Sequence, residues 1–308
     1  MSKASETAAS IASTSNDQGR QFMNTEYDTP QPIQVVLDML VEVMLTVTAT
    51  DTTTTTLSIK AGDPTKKDDV RALGEVNVDF VDGVLGVRIA RTLRYYTWFS
   101  GSPRLIVDIT VPTGSDVDAK LGAGNGATEG MLGVCSVRTG AGEIRIEHAG
   151  RTTLHSGAGS IQAGRVGGPL RVTNGAGSIR IGTLEGEGVV KNTTGASVFG
   201  EVEGPLTVKS TTGDVVIEQL NGSAEIKCAH GEVRIDRVGT GEVKIEGGYG
   251  SIEVGVPEGT AAWLDVASRH GLVRNELEQA SAPVDDDRTV AVTAHADYAS
   301  ITIRRPLG

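Results

Sequence analysis

The chain is poor in the residues that staple, anchor or charge most binding proteins. Of its 308 residues only two are cysteine, Cys135 and Cys228. They fall at different places on the internal repeat set out below, several repeats apart and so beyond the ~7 Å that a disulfide spans. Both are expected to be free thiols, which suits a reducing compartment. Aromatic residues are 4% of the chain, so the core must be aliphatic. No apolar run reaches the ~18 residues of a membrane-spanning helix; the longest, Met39 to Val47, carries Glu42. Residues 1–29 hold no apolar stretch of the kind that begins a secretory signal. The default address is the cytoplasm, and placement at the cell surface would need an export route the sequence does not display. Basic residues are the minority, 28 against 39 acidic, for a net charge of −11. That balance argues against general nucleic-acid binding or attraction to an anionic membrane. Helical spacing is also missing from the repeat set out below, and Lys66 to Leu73 reads as a short helix or a loop.

What is abundant is glycine, 40 residues, and it is periodic. From Ala149 to Arg237 the chain repeats itself without a slip in phase. Gly159, Gly177, Gly195, Gly213 and Gly231 form one column of that repeat. Leu154, Val172, Val190, Val208 and Ile226 form another, and Ala163, Ile181, Phe199, Ile217 and Ile235 a third. Columns kept in phase over five periods mark a repeat architecture. Each period reads as two short strands in which apolar residues alternate with Arg, Lys, Thr, Gln or Glu, such as Leu206 to Lys209 and Val215 to Ile217. Glycine-rich corners separate them, where the backbone must turn sharply or take positive φ.

Constant phase favours stacking of equivalent residues over a hairpin meander. Inward positions at 161, 163, 166, 170 and 172 do not follow the six-residue period of a left-handed hexapeptide helix. The fold class expected is all-β: a β-solenoid, read as a right-handed parallel β-helix with about 18 residues per coil and an irregular N-terminal β cap. The expected organisation is a disordered leader (1–29), the cap and first irregular coils (30–132), and a regular solenoid (133–308) continuous with the cap. Within the cap, long strands are expected over Gln34–Ala49 and Thr53–Lys60, and a hairpin around Asp82-Gly83. The last segment, Thr289 to Ile303, is expected to close the stack with a corner at Tyr298-Ala299-Ser300.

Three corners, Thr139-Gly-Ala-Gly-Glu-Ile, Ser156-Gly-Ala-Gly-Ser-Ile and Thr211-Thr-Gly-Asp-Val, resemble those of the bacterial putative-adhesin family of β-strand-repeat proteins. The opening Tyr27-Asp-Thr-Pro-Gln-Pro-Ile, the later Ala261-Ala-Trp-Leu-Asp-Val and Gly271-Leu-Val-Arg-Asn-Glu-Leu match as well, so the similarity covers about Tyr27 to Arg305. The resemblance implies a β-helical solenoid and no chemistry. The chain departs from it at Met39-Leu-Val-Glu, where a glycine-rich corner is expected.

Candidate chemistry is sparse. The corners superficially resemble calcium-binding nonapeptide repeats, but Ile144, Ile161 and Ile179 stand where those repeats need Asp. Corner carboxylates Glu143, Asp214 and Glu232 alternate with serines, short of the six to eight oxygens calcium takes. The five histidines do not cluster; His230 and His270 share a corner position two coils apart. No metal and no cofactor is expected. Outward Glu225, Lys227, Arg234, Asp236, Glu242 and Lys244 could line a polysaccharide-cleaving groove, but alternating charge on an exposed β face is normally cross-strand pairing. The most unusual patch holds Arg91, Arg94, Tyr95, Tyr96, Trp98, Phe99 and Arg104, residue types enriched at binding hot spots. It reads either as a partner-binding segment or as an aromatic plug on an open end of the solenoid. The function expected is a non-catalytic scaffold offering flat polar faces to a protein partner or to further copies of itself. A surface adhesin is the alternative, and a polysaccharide-active enzyme stands behind both.

Overall fold

Alternation of apolar and polar residues sets nearly every element in a computed structural model of the chain, which describes residues 22–89, 103–277 and 288–306. The chain divides into two compact units, Met1–Thr139 and Gly140–Gly308. Among the described residues no helix is long and apolar enough to cross a membrane.

The first unit contains β1 (Phe22–Asp28), β2 (Gln34–Thr50), β3 (Thr54–Ala61), α1 (Lys67–Gly74), β4 (Val76–Val81), β5 (Val84–Ile89), β6 (Arg104–Pro112) and β7 (Asp116–Leu132), and leads into β8 (Cys135–Ala141). The irregular N-terminal region is a mixed sheet. β1–β3, β3–β6 and β4–β5 are antiparallel, while β2 runs parallel to β5, β6 and β7. Residues 22–28, read from the sequence as part of a leader, form a strand along β3. Asp82 and Gly83 both take positive φ, 50° and 75°, as a two-residue hairpin turn requires. β2 is the long strand expected over Gln34–Ala49; it runs straight through Met39–Glu42, where the family resemblance would place a corner, and its pairing with β7 shifts register there. The glycines needed for that irregularity lie on the partner: a Cβ on Gly124 (φ 109°) would fall 2.0 Å from the Val43 carbonyl oxygen.

The second unit is the regular repeat. Its strands are β9 (Ile144–Ala149), β10 (Thr152–Ala158), β11 (Ile161–Val166), β12 (Leu170–Ala176), β13 (Ile179–Leu184), β14 (Gly188–Thr194), β15 (Ser197–Val202), β16 (Leu206–Thr212), β17 (Val215–Leu220), β18 (Ala224–His230), β19 (Val233–Val238), β20 (Gly241–Tyr249) and β21 (Ser251–Gly255). Even-numbered strands from β10 onward pair with one another, odd-numbered strands do the same, and all these pairings are parallel. Leu154 faces Val172, which faces Val190, then Val208 and Ile226, so the sequence columns are physical ladders. All five of these side chains are buried, as are Ala163, Ile181, Phe199, Ile217 and Ile235.

A buried polar row supports one corner of this stack. Gly142, Gly159, Gly177, Gly195, Gly213, Gly231 and Gly250 have φ between 121° and 147°. Inside that corner lie Ser156, Asn174, Asn192, Ser210 and Cys228, one per coil. Asn192 Nδ2 donates to the carbonyls of Gly177 (3.2 Å) and Gly195 (2.9 Å), tying two coils together. Asn174 does the same one coil earlier, for Gly159 (3.2 Å) and Gly177 (3.0 Å). An unpaired buried carbonyl is costly. Asn192→Leu is therefore expected to lower stability by about 2 kcal/mol, read as a reduced denaturant midpoint with an unchanged slope.

The end of the stack departs from sequence order. β22 (Thr260–Ser268), β23 (Val273–Asn275), β24 (Arg288–Ala296) and β25 (Ser300–Arg304) complete the unit. β24 lies between β20 and β22, so that Val243 faces Val292 and Val292 faces Leu264. β25 likewise lies between β21 and β23. The segment expected to close the stack is thus internal, and Thr260–Asn275 forms the terminal coil. The inward residues fit these places: Val290, Val292 and Ala294 are fully buried, while Ala262, Leu264 and Val266 beside them are half-buried.

Both cysteines are free and buried, each in its own unit. Burial pushes the Cys135 thiol up to about 12 and also raises that of Cys228. Since the thiolate is the reactive form, neither is expected to react with Ellman's reagent near pH 8 until denaturant is added, when two equivalents should appear.

Candidate functional site

The outward faces of the second unit carry its candidate chemistry. Successive outward residues on the even-numbered strands line up in rows. One row runs His155, Thr173, Lys191, Lys209, Lys227, Glu246, His295. Its later members, with Thr193, Thr211 and Arg269, border a groove of about 840 Å³. A second groove, about 860 Å³, lies over the odd-numbered strands beside Arg180, Glu201, Glu218 and Arg237.

The charged residues singled out from the sequence largely pair with one another. Lys227 Nζ lies 3.4 Å from Glu225 and 3.0 Å from Glu246, Lys244 lies 3.8 Å from Glu246, and Arg234 lies 3.1 Å from Asp236. The hydrogen bond from Lys227 holds the Glu246 carboxyl below its ordinary value, and the same bond raises Lys227. The stability this lowered carboxyl contributes is present above pH 4.5 and is lost as pH falls through its lower folded value. Both side chains are exposed, so the contribution is small.

Arg104, the one described member of the aromatic-rich patch, begins β6. Its guanidinium binds Glu42, Nε at 2.7 Å and Nη2 at 2.6 Å, and its backbone N–H donates to the buried Asp69 carboxylate at 3.1 Å. Arg91, Arg94, Tyr95, Tyr96, Trp98 and Phe99 lie outside the described residues. The corner carboxylate Asp214 accepts the Glu232 backbone N–H of the next coil at 2.9 Å.

His230 and His270 share a corner column, but the inserted coil separates them by three steps rather than two. Two tyrosines fill the interval. His230 stacks on Tyr249 with ring centroids 5.1 Å apart, Tyr249 on Tyr298 at 4.8 Å, and Tyr298 on His270 at 4.6 Å. The rings are within 17° of parallel and repeat at the spacing of β-strands. This ladder escaped the sequence analysis because Tyr298 falls beside Tyr249 only once β24 and β25 are placed inside the stack. The Lys191, Lys209, Lys227 row could have been found, since its members stand one period apart.

No family model matches the chain, and no curated protein matches it. Among solved structures it is similar to a putative adhesin from Parabacteroides distasonis (10% identity over 93% of this chain and 98% of that one, TM-score 0.31). It is also similar to a putative adhesin from Parabacteroides merdae (12% identity, 92% and 96% coverage, TM-score 0.30). A third is a putative lipid binding protein from Parabacteroides distasonis (11% identity, 92% and 97% coverage, TM-score 0.36).

Proposed function

We propose that this chain is a non-catalytic β-solenoid interaction protein that self-associates through the terminal coil of its second unit. One observation carries the reading. Among the described residues β22 pairs only with β24, and β23 only with β25, so the outer edges of both strands present unpaired backbone groups. Around those edges Trp263 is 78% exposed and Leu272 74%. The inward row Ala262, Leu264 and Val266, whose counterparts in the preceding coil are fully buried, is only half covered. An open strand edge is a template for another strand, and the surface that fits the end of a coil is a coil of the same spacing. A second copy meets both requirements. The outward charges weighed as a cleaving groove pair with one another, Lys227 with Glu225 and Arg234 with Asp236, which supports the non-catalytic part.

Sedimentation velocity across a concentration series tests this. The expected result is a dimer or larger species that a Trp263→Lys, Leu272→Lys variant converts to monomer with an unchanged circular dichroism spectrum. A monomer at every concentration would overturn the reading. The second reading, a surface adhesin, is favoured by the resemblance of the Thr139, Ser156 and Thr211 corners to that family. Digestion by protease added to intact cells, with a cytosolic control surviving, would support it; survival until lysis would end it.

A further inference from the structure

The aromatic ladder of the second unit runs to the end of the stack and stops on a histidine. His230, Tyr249, Tyr298 and His270 occupy one corner on successive coils, and His270 belongs to the turn between β22 and β23 of the terminal coil. One face of its ring lies on Tyr298, with centroids 4.6 Å apart and planes within 17°, so the other face looks outward along the stacking direction. Among the described residues no second ring covers that face, and His270 is exposed and forms no ion pair. The charged groups around it are engaged elsewhere. Asp297, on the turn packed against it, binds Arg269 at 3.3 Å, and the Asp297 backbone carbonyl accepts the His270 N–H at 3.0 Å. Tyr298, on the same turn, contributes its ring. Elsewhere on the terminal coil Asp265 faces His295 at 3.4 Å, and Arg274 lies 4.0 Å from Glu276.

We propose that His270 makes self-association through the terminal coil pH-sensitive: two copies join end to end while its imidazole is neutral and part when it is protonated. The inference rests on the self-association reading above and adds its regulation. Two copies that meet through the same open coil use the same patch, so the contact has twofold symmetry. A twofold axis along the strands sets β22 of one copy antiparallel to β23 of the other and lays each corner over the same corner of the second copy. The column of rings then continues across the contact at the ~4.8 Å spacing of neighbouring strands, His270 upon His270 of the second copy. Protonation opposes this in two ways. Covering the outward face takes water from an imidazolium, which disfavours the charged form. Two imidazoliums directly opposite one another also repel. Both effects exist only in the contact, because the face on Tyr298 is the same in a single copy and in a pair. The single copy therefore binds the proton more readily, so association strengthens as pH rises and is lost as pH falls through the histidine range, roughly pH 8 to 5.

The experiment is sedimentation equilibrium of the full chain at about pH 8 and about pH 5.5, either side of the histidine range, at constant ionic strength, with a circular dichroism spectrum at each. The expected dissociation constant is roughly tenfold or more higher at the lower pH, with the spectrum unchanged. His270→Tyr keeps a ring at the end of the ladder but does not titrate in this range, and is expected to associate equally at both values. His270→Lys carries a fixed charge and should associate as weakly at the higher pH as the unmodified chain does at the lower. His230→Gln and His295→Gln, which leave the outward face of His270 untouched, should retain the full pH dependence. A dissociation constant that ignores pH would overturn the inference and leave self-association standing. The inference also falls if His270→Tyr keeps the pH dependence, if His270→Lys associates as tightly as the unmodified chain at the higher pH, or if either control variant abolishes the dependence. Monomers at every pH would overturn it together with the self-association reading.

Discussion

Phe199→Ala is expected to remove about 3–5 kcal/mol of stability. Among the described residues Phe199 is the largest fully buried side chain, and it is the one aromatic in its inward column, where Ile181 and Ile217 face it from the coils on either side. Its ring contributes apolar area that no neighbour can replace, because the facing strands are fixed by their own ladders. Truncation leaves a cavity lined by aliphatic side chains, and the cost depends on how far the coils close over it. A domain's whole stability is only about 5–15 kcal/mol. In a stack each coil is stabilised through its neighbours, so the loss should lower the denaturant midpoint of the entire second unit rather than melt one coil. A variant that unfolds in two separated steps would show instead that the coils on either side of Phe199 are independent.

Gly177→Ala should be nearly as damaging, although it adds a single methyl group at the surface corner. Gly177 has φ 128°, and a Cβ there would lie 2.1 Å from the carbonyl oxygen of Gly159 in the coil before it. Backbone strain of this kind costs about 1–3 kcal/mol by itself. The collision adds to it, because relief requires two coils to separate where Asn174 holds both their carbonyls. A total near ~3 kcal/mol is expected by chemical denaturation. Gly167→Ala is the control: its nearest contact would be the flexible Glu185 carboxylate at 3.4 Å, and its effect should stay within about 0.5 kcal/mol.

The repeat was legible because its physics is local. Leu154, Val172 and Val190 read as a column because each full period returns the chain to the same place, and Gly159, Gly177 and Gly195 because only glycine suits the corner. The long strand through Met39–Glu42 was legible in its own alternation, but the register shift against β7 was not, since the glycines that permit it lie on β7, far along the chain. Asn174 and Asn192 look like outward polar residues in sequence; they are buried because the corner glycines turn carbonyls inward that need donors. The order of the last coils was hidden for a different reason. Thr260–Asn275 and Arg288–Arg304 carry equally good strand patterns, and nothing local says which of them stacks on β20 and β21. With that order went the Tyr249–Tyr298 contact, and hence the aromatic ladder.

The placement of β24 and β25 between strands that precede them has a consequence for how the chain reaches its final form. Synthesis delivers Thr260–Asn275 while β20 and β21 still have open edges, and before Arg288–Arg304 exists. The final form requires the later pair to take those edges and the earlier pair to end up outside it. Growth of one coil upon the last therefore cannot complete this end of the stack, which stays unfinished until residue 304 has been made.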